Sequence, residues 1–112
     1  NRDFRRAYNK GKSYVSPFIV VYVNKNRTNN VRLGITAGKK IGKAVARNRA
    51  KRVITAAFLS VLPEIRDGLD FVIVARTRIL DVKSTVVAAS LHKLLFAAGA
   101  LKSDENYEKV TD

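Results

Sequence analysis

The chain has no cysteine, no methionine and no tryptophan, and a single histidine, in 112 residues. Without cysteine there is no disulfide framework, no thiolate metal site and no cysteine nucleophile. No apolar run approaches the roughly 20 residues that cross a bilayer, and the start lacks the basic, apolar and small-residue regions of a signal peptide. A cytoplasmic protein with no membrane partner is therefore expected. With no methionine and a first residue Asn1, we expect further residues upstream. The most telling scarcity is of negative charge: from Phe4 through Pro63 there is no Asp or Glu at all.

What is present follows from that gap. The formal net charge is +13. Residues 1–52 hold fifteen Lys and Arg against one acid, Asp3, whereas residues 53–112 hold seven against eight. A surface serving solubility alone would intersperse both signs. This asymmetry predicts an extended electropositive surface built by the first half, suited to a polyanion. Apolar residues make up 46% of the chain, too many for a disordered basic tail. The length suits one domain with one modest core.

The charge peaks at Lys39–Arg52, KKIGKAVARNRAKR, where seven of fourteen residues are basic and none is acidic. The stretch runs straight into the apolar, helically spaced VITAAFLSVL. Its basic residues therefore sit where a helix macrodipole is positive and favours acids. A local stability rule broken this heavily points to function. On a helical wheel Ala46, Ala50, Val53, Ile54, Ala57, Phe58 and Val61 form one apolar arc. Asn48, Lys51 and Arg52 fall opposite, flanked by Arg47 and Arg49. The helix is predicted from about Ala44 to Leu62, ended by Pro63.

Around it we read a short helix from Asn1 to Lys10, stopped by Gly11, with Phe4 and Tyr8 on one face. Ser13–Val23 reads as a strand and Val31–Thr36 as its hairpin partner across the polar turn 24–30. Phe71–Ala75 is a strand buried on both faces, preceded by Asp67, Gly68 and Asp70 as turn formers. Val82–Ala98 is a helix closed by Gly99. The order α-β-β-α-β-α gives an α+β fold, a two-layer α/β sandwich, over residues 1–99. Residues 100–112 form a polar, acidic tail.

Catalytic chemistry is poorly supplied. His92 has no partner motif, and Glu64, Asp67, Asp70 and Asp81 are scattered around turns without metal-ligand spacing. The serines lack a GxSxG elbow or an SxxK pair. Gly34, Gly38 and Gly42 recur every four residues, which does not match a phosphate loop. No catalytic residue and no metal site are assigned to the protein. The binding inventory is richer, because single-stranded nucleic acid is held by basic grooves with stacking aromatics. Phe4, Tyr8, Phe18 and Tyr22 are candidates for such a platform, with hairpin core as the plain alternative. Arg47, Asn48, Arg49, Lys51 and Arg52 suit bidentate phosphate contacts and hydrogen bonds to ribose or base edges.

KKIGKAVARNRAKR, centred on Arg47-Asn48-Arg49, resembles the signature of the bacterial ribonuclease P protein component. Asn1–Phe4 with Tyr8 and Gly11, Val31–Ile35, and Phe71–Arg76 extend the likeness through about Gly99. The resemblance implies a sandwich of the ribosomal-protein S5 domain 2-like type, with a left-handed β-α-β crossover containing the basic helix. It implies a protein subunit that joins a catalytic RNA to remove the 5′ leader of precursor tRNA. Magnesium held by the RNA and substrate would perform the hydrolysis, with no obligate protein partner. Lys39, Lys40, Lys43, Arg47, Asn48, Arg49, Lys51 and Arg52 would then bind the RNA subunit. Phe4, Tyr8, Phe18, Val20 and Tyr22 would line the leader cleft. Gly38 stands where a small hydroxyl residue is common in the family, and the acidic tail is expected to make no RNA contact. On charge alone, a general RNA-binding or ribosomal-type protein without a leader cleft is the alternative.

Overall fold

Pro17 decides how the sheet begins. In the computed structural model, which describes residues 12–102, the predicted strand Ser13–Val23 is two strands: β1 (Lys12–Val15) and β2 (Ile19–Lys25). Proline cannot donate to a ladder, and the chain turns there. Ser16 holds the turn, its Oγ accepting from the N–H groups of Phe18 and Ile19, each at 3.2 Å. The two strands then pair antiparallel, Lys12 opposite Val23 and Val15 opposite Val20. The described residues continue through β3 (Val31–Thr36), α1 (Ala44–Val61), β4 (Leu69–Ala75) and α2 (Ser84–Ala97). Short 3₁₀ turns lie at Lys39–Ile41, Leu62–Glu64 and Thr77–Asp81.

The predicted hairpin of β2 with β3 does not form. The sheet order is β1-β2-β4-β3, with β4 inserted between the two, antiparallel to β2 and parallel to β3. The 24–30 segment is thus a connection spanning a strand's width rather than a tight turn. β4 is central, with a neighbour on each side and helices over one face, and its Phe71, Val72, Ile73 and Ala75 are all buried. Phe71, Ile73 and Ala75 join Ile19 and Val21 under α1 and α2, in one core with Ile54, Phe58, Val87, Leu91 and Leu95. Phe58 meets Phe71 edge-on, ring centroids 5.7 Å apart. Each fully buried side chain of this kind contributes about 1.5–3 kcal/mol.

Both helices lie on that face and run parallel. The start of α2 sits beside the middle turns of α1, at Arg49, Arg52, Val53 and Ala56, and His92 of α2 reaches Glu64, just past α1, at 3.4 Å. The packed body extends two residues beyond Gly99, the predicted end of the domain. Gly99 turns at φ +69°, a conformation that favours glycine. Ala100 and Leu101 then enter the core, Leu101 bridging to Ile65. The predicted helix Asn1–Lys10 lies outside the described residues.

Candidate nucleic-acid interface

Two surfaces meet at the end of β3. The first is the basic stretch. After Thr36 the chain makes the turn Lys39–Ile41, whose Ile41 side chain is buried and anchors it, leaving Lys39 and Lys40 exposed. Gly42 then takes φ +139°, and a Cβ there would stand 3.1 Å from the Ala46 Cβ. This left-handed residue lets the turn abut the first turn of α1. Lys43 caps α1 without a side-chain hydrogen bond, and no acid lies in the first turn.

Beyond the cap, Ala50, Ile54, Ala57, Phe58 and Val61 are buried. Asn48, Arg49, Lys51 and Arg52 are exposed, dividing the helix as its wheel predicts. Arg47 is half-buried, and its Nε is sealed from water with no hydrogen-bond partner in the structure. An orphaned buried donor of this kind costs about 1–3 kcal/mol. None of the bases from Lys39 to Arg52 forms an ion pair with an acid among the described residues. Of the eight sequence-predicted residues, all but the half-buried Arg47 are exposed, on the 3₁₀ turn, at the cap and in the first turns of α1.

The second surface is the sheet face away from the helices. Directly paired residues share a face, so the register lays out three rows across the sheet. Nearest the basic turn run Val15, Val20, Val74 and Thr36. Next come Ser13, Tyr22, Val72 and Gly34. At the far end Asn24, Asp70 and Arg32 form the third row. Val15 is 58% exposed and Val20, Tyr22 and Val74 are half-buried, whereas Val72, between Tyr22 and Gly34, is 2% exposed, so this floor is accessible only in part. Val20 and Tyr22 stand side by side as predicted. Phe18 is separated from them, packing against the helix-side core, with its carbonyl accepting from the Arg76 N–H at 2.9 Å. Phe4 and Tyr8 lie outside the described residues.

The ionic row was missed by sequence reading. Asp70 is not a turn former: it is 6% exposed within β4. Arg32 Nε and Nη2 donate to its two oxygens at 2.7 and 2.6 Å, and Asn26 Nδ2 donates to Oδ1 at 2.8 Å. The Arg32 hydrogen bonds hold the carboxyl below the usual carboxylate range, outweighing the opposite push of burial, with the Asn26 amide adding to the effect. Asn26 in turn accepts from the Thr28 N–H at 2.9 Å and Thr28 Oγ1 at 2.8 Å, and donates to the Asn30 carbonyl at 3.1 Å. Asp70 thereby fastens the 26–30 connection to the sheet. An Arg on β3 whose parity matched an Asp on a buried strand was the available signal, but it needs the β3–β4 pairing first.

His92 lies on the flank of α2, partly exposed and within 3.4 Å of Glu64, away from both surfaces. No helix among the described residues is long and apolar enough to cross a membrane.

A family model described as Ribonuclease P matches residues 1–99. The ribonuclease P protein component of Clostridium botulinum (strain Loch Maree / Type A3) is 40% identical over 100 residues, covering 88% of this chain and 90% of the relative. That of Clostridioides difficile is 37% identical, covering 83% and 82%. Among solved structures, the RNase P protein of Staphylococcus aureus superposes with a TM-score of 0.78 at 36% identity, covering 89% of this chain and 92% of that one. The RNase P protein of Thermotoga maritima gives 0.76 at 34%, covering 84% and 89%. Sequence signature, sheet and helices agree, and the chain belongs to the ribonuclease P protein component family.

Proposed function

We propose that this protein subunit of ribonuclease P, which acts in tRNA 5′ maturation, grips two RNAs with two adjoining surfaces. The surface Lys39–Arg52 binds the catalytic RNA, and the open sheet face around Val20 and Tyr22 receives the single-stranded 5′ leader of precursor tRNA. The observation that carries the reading is the run of basic residues with no acidic partner among the described residues, joined at Thr36 to a partly exposed apolar and aromatic face. Guanidinium and ammonium groups without acidic partners among the described residues are available to phosphates, and their neutralisation releases counterions. A tyrosine in an apolar floor stacks on any base, which suits a leader of arbitrary sequence. Phe4 and Tyr8 are assigned to the same cleft from the family likeness, and Phe18 to its margin.

The basic surface contains no carboxylate, so it offers no hard oxygen set for magnesium. We assign the metal to the phosphates of RNA and substrate, and hydrolysis to the RNA. The protein's own share is to screen phosphate repulsion and hold the leader. Reconstitution with a bacterial ribonuclease P RNA at low magnesium tests this. The protein should raise precursor cleavage well above that of RNA alone. No improvement would refute the reading, and cleavage by protein that survives ribonuclease treatment would place the chemistry in the protein instead. Equal affinity for precursors with long leaders and for mature tRNA would favour the alternative, a general RNA-binding protein.

A further inference from the structure

The starts of the two helices share an unusual composition. Lys43 precedes α1 and Lys83 precedes α2 at the N-cap position, neither makes a side-chain cap hydrogen bond, and neither first turn holds an acid. Ser, Thr, Asp or Asn is favoured at this position because its oxygen takes an orphan N–H. Lysine supplies no acceptor and adds positive charge to the positive end of the dipole. At α1 this belongs to the basic surface already described. At α2 it lies in the nearly neutral half of the chain, where the same explanation is not given by local composition.

Packing of the helices places the start of α2 beside Arg49, Arg52, Val53 and Ala56 of α1. A groove of about 400 Å³ between the helices is lined by the exposed Arg49, Arg52 and Lys83 and the half-buried Val53 and Val82. Three cations from two elements thus face one hollow with no carboxylate among its lining residues. Asp81, the acid nearest in sequence to Lys83, is exposed and does not line it. Arg49 and Arg52, three apart on one helix, already repel, and Lys83 adds a third charge across the gap. A groove that only joined two helices would gain from an acid at either position.

Resting on the RNA-subunit reading above, we propose that Arg49, Arg52 and Lys83 together hold the phosphate backbone of the catalytic RNA in this groove. The RNA-binding surface then continues from the signature helix across to α2. Lys83 is a contact that lies 31 residues past the end of the basic stretch in sequence and beside it in space.

The test uses the full chain assembled with a bacterial ribonuclease P RNA, reading affinity against salt concentration. Lys83→Ser should lower the log–log salt slope by about one unit and weaken binding roughly five- to tenfold near 0.1 M salt. The same change supplies a cap oxygen, so the melting temperature of the free protein should rise while RNA affinity falls. A folding defect cannot produce that pairing. Lys83→Arg should keep the slope. Lys93→Ser, an exposed lysine farther along α2, should leave it unchanged. The proposal is overturned by an unaltered slope in Lys83→Ser, or by an equal loss in Lys93→Ser, which would reduce the effect to net charge. If Lys83→Ser is silent while Arg52→Ala lowers the slope, the groove fails and the RNA-subunit reading stands. If both are silent, both fail.

Discussion

Two clusters of charge in this molecule have opposite surroundings. Arg32, at the far end of the open sheet face, is locked to Asp70 by two hydrogen bonds and tied through Asn26 into the 26–30 connection. The bases from Lys39 to Arg52 have no acid within reach among the described residues. A charge with a built-in counter-charge serves the fold. A charge whose partners have been removed from sixty successive positions, Phe4 to Pro63, serves something that arrives from outside. The two clusters should therefore respond in opposite ways to mutation, one in stability and the other in binding.

The largest expected effect lies on the unpaired side. Arg47→Ala with Arg49→Ala should weaken assembly with the catalytic RNA by about 100-fold near 0.1 M salt and flatten the salt slope by about two units. Binding titrations across salt concentrations measure both, and an unchanged slope would remove these arginines from the interface. On the paired side, Asp70→Asn should cost about 1–3 kcal/mol of stability in urea unfolding, moderated because Arg32 is partly exposed. It should leave the RNA salt slope alone; a loss of slope would erase the distinction between the clusters.

The pH dependence sharpens the same contrast. Because the folded Asp70 carboxyl is held below its unfolded value, its contribution is complete above about pH 4. It is lost as pH falls through the lower folded value. Asp70→Asn should therefore show a shallower loss of stability on acidification than the parent, measured by unfolding at a series of pH values. A smaller effect is expected at the leader face. Tyr22→Ala should weaken binding of long-leader precursors by about tenfold, close to the stacking of one base, and spare mature tRNA. Equal losses for both would argue against a leader cleft there. The smallest is Lys43→Ser, which should stabilise the free protein by about 0.5–1 kcal/mol while weakening RNA binding. A fall in stability would show that Lys43 supports the helix start after all.

The basic surface was almost fully legible because it is local. Helical periodicity from Ala46 to Val61 divides the faces within one element, and no tertiary knowledge is needed to place Arg52 opposite Ile54. The sheet was less legible. Adjacent apolar strands suggested a hairpin, yet nothing in Val31–Thr36 or Phe71–Ala75 states which neighbour each prefers. Pro17 was a readable break that strand propensity across Ser13–Val23 obscured. Asp70, beside Gly68, looks like a turn residue until its strand is known to be central, and then it needs Arg32. Lys83 was invisible for a related reason: its neighbours in space are thirty residues away in the chain.

The central position of β4 has a consequence for how the chain reaches this state. Residues 12–36 alone can form the β1–β2 hairpin, but β3 has no strand to lie against until residues 69–75 exist. During synthesis the net positive charge accumulates before the segment that completes the sheet emerges. That half is self-repelling and low in stability until the nearly neutral half arrives. Closure of the sheet therefore waits on pairings between residues 38 to 56 apart in sequence, a topology that folds slowly for its size.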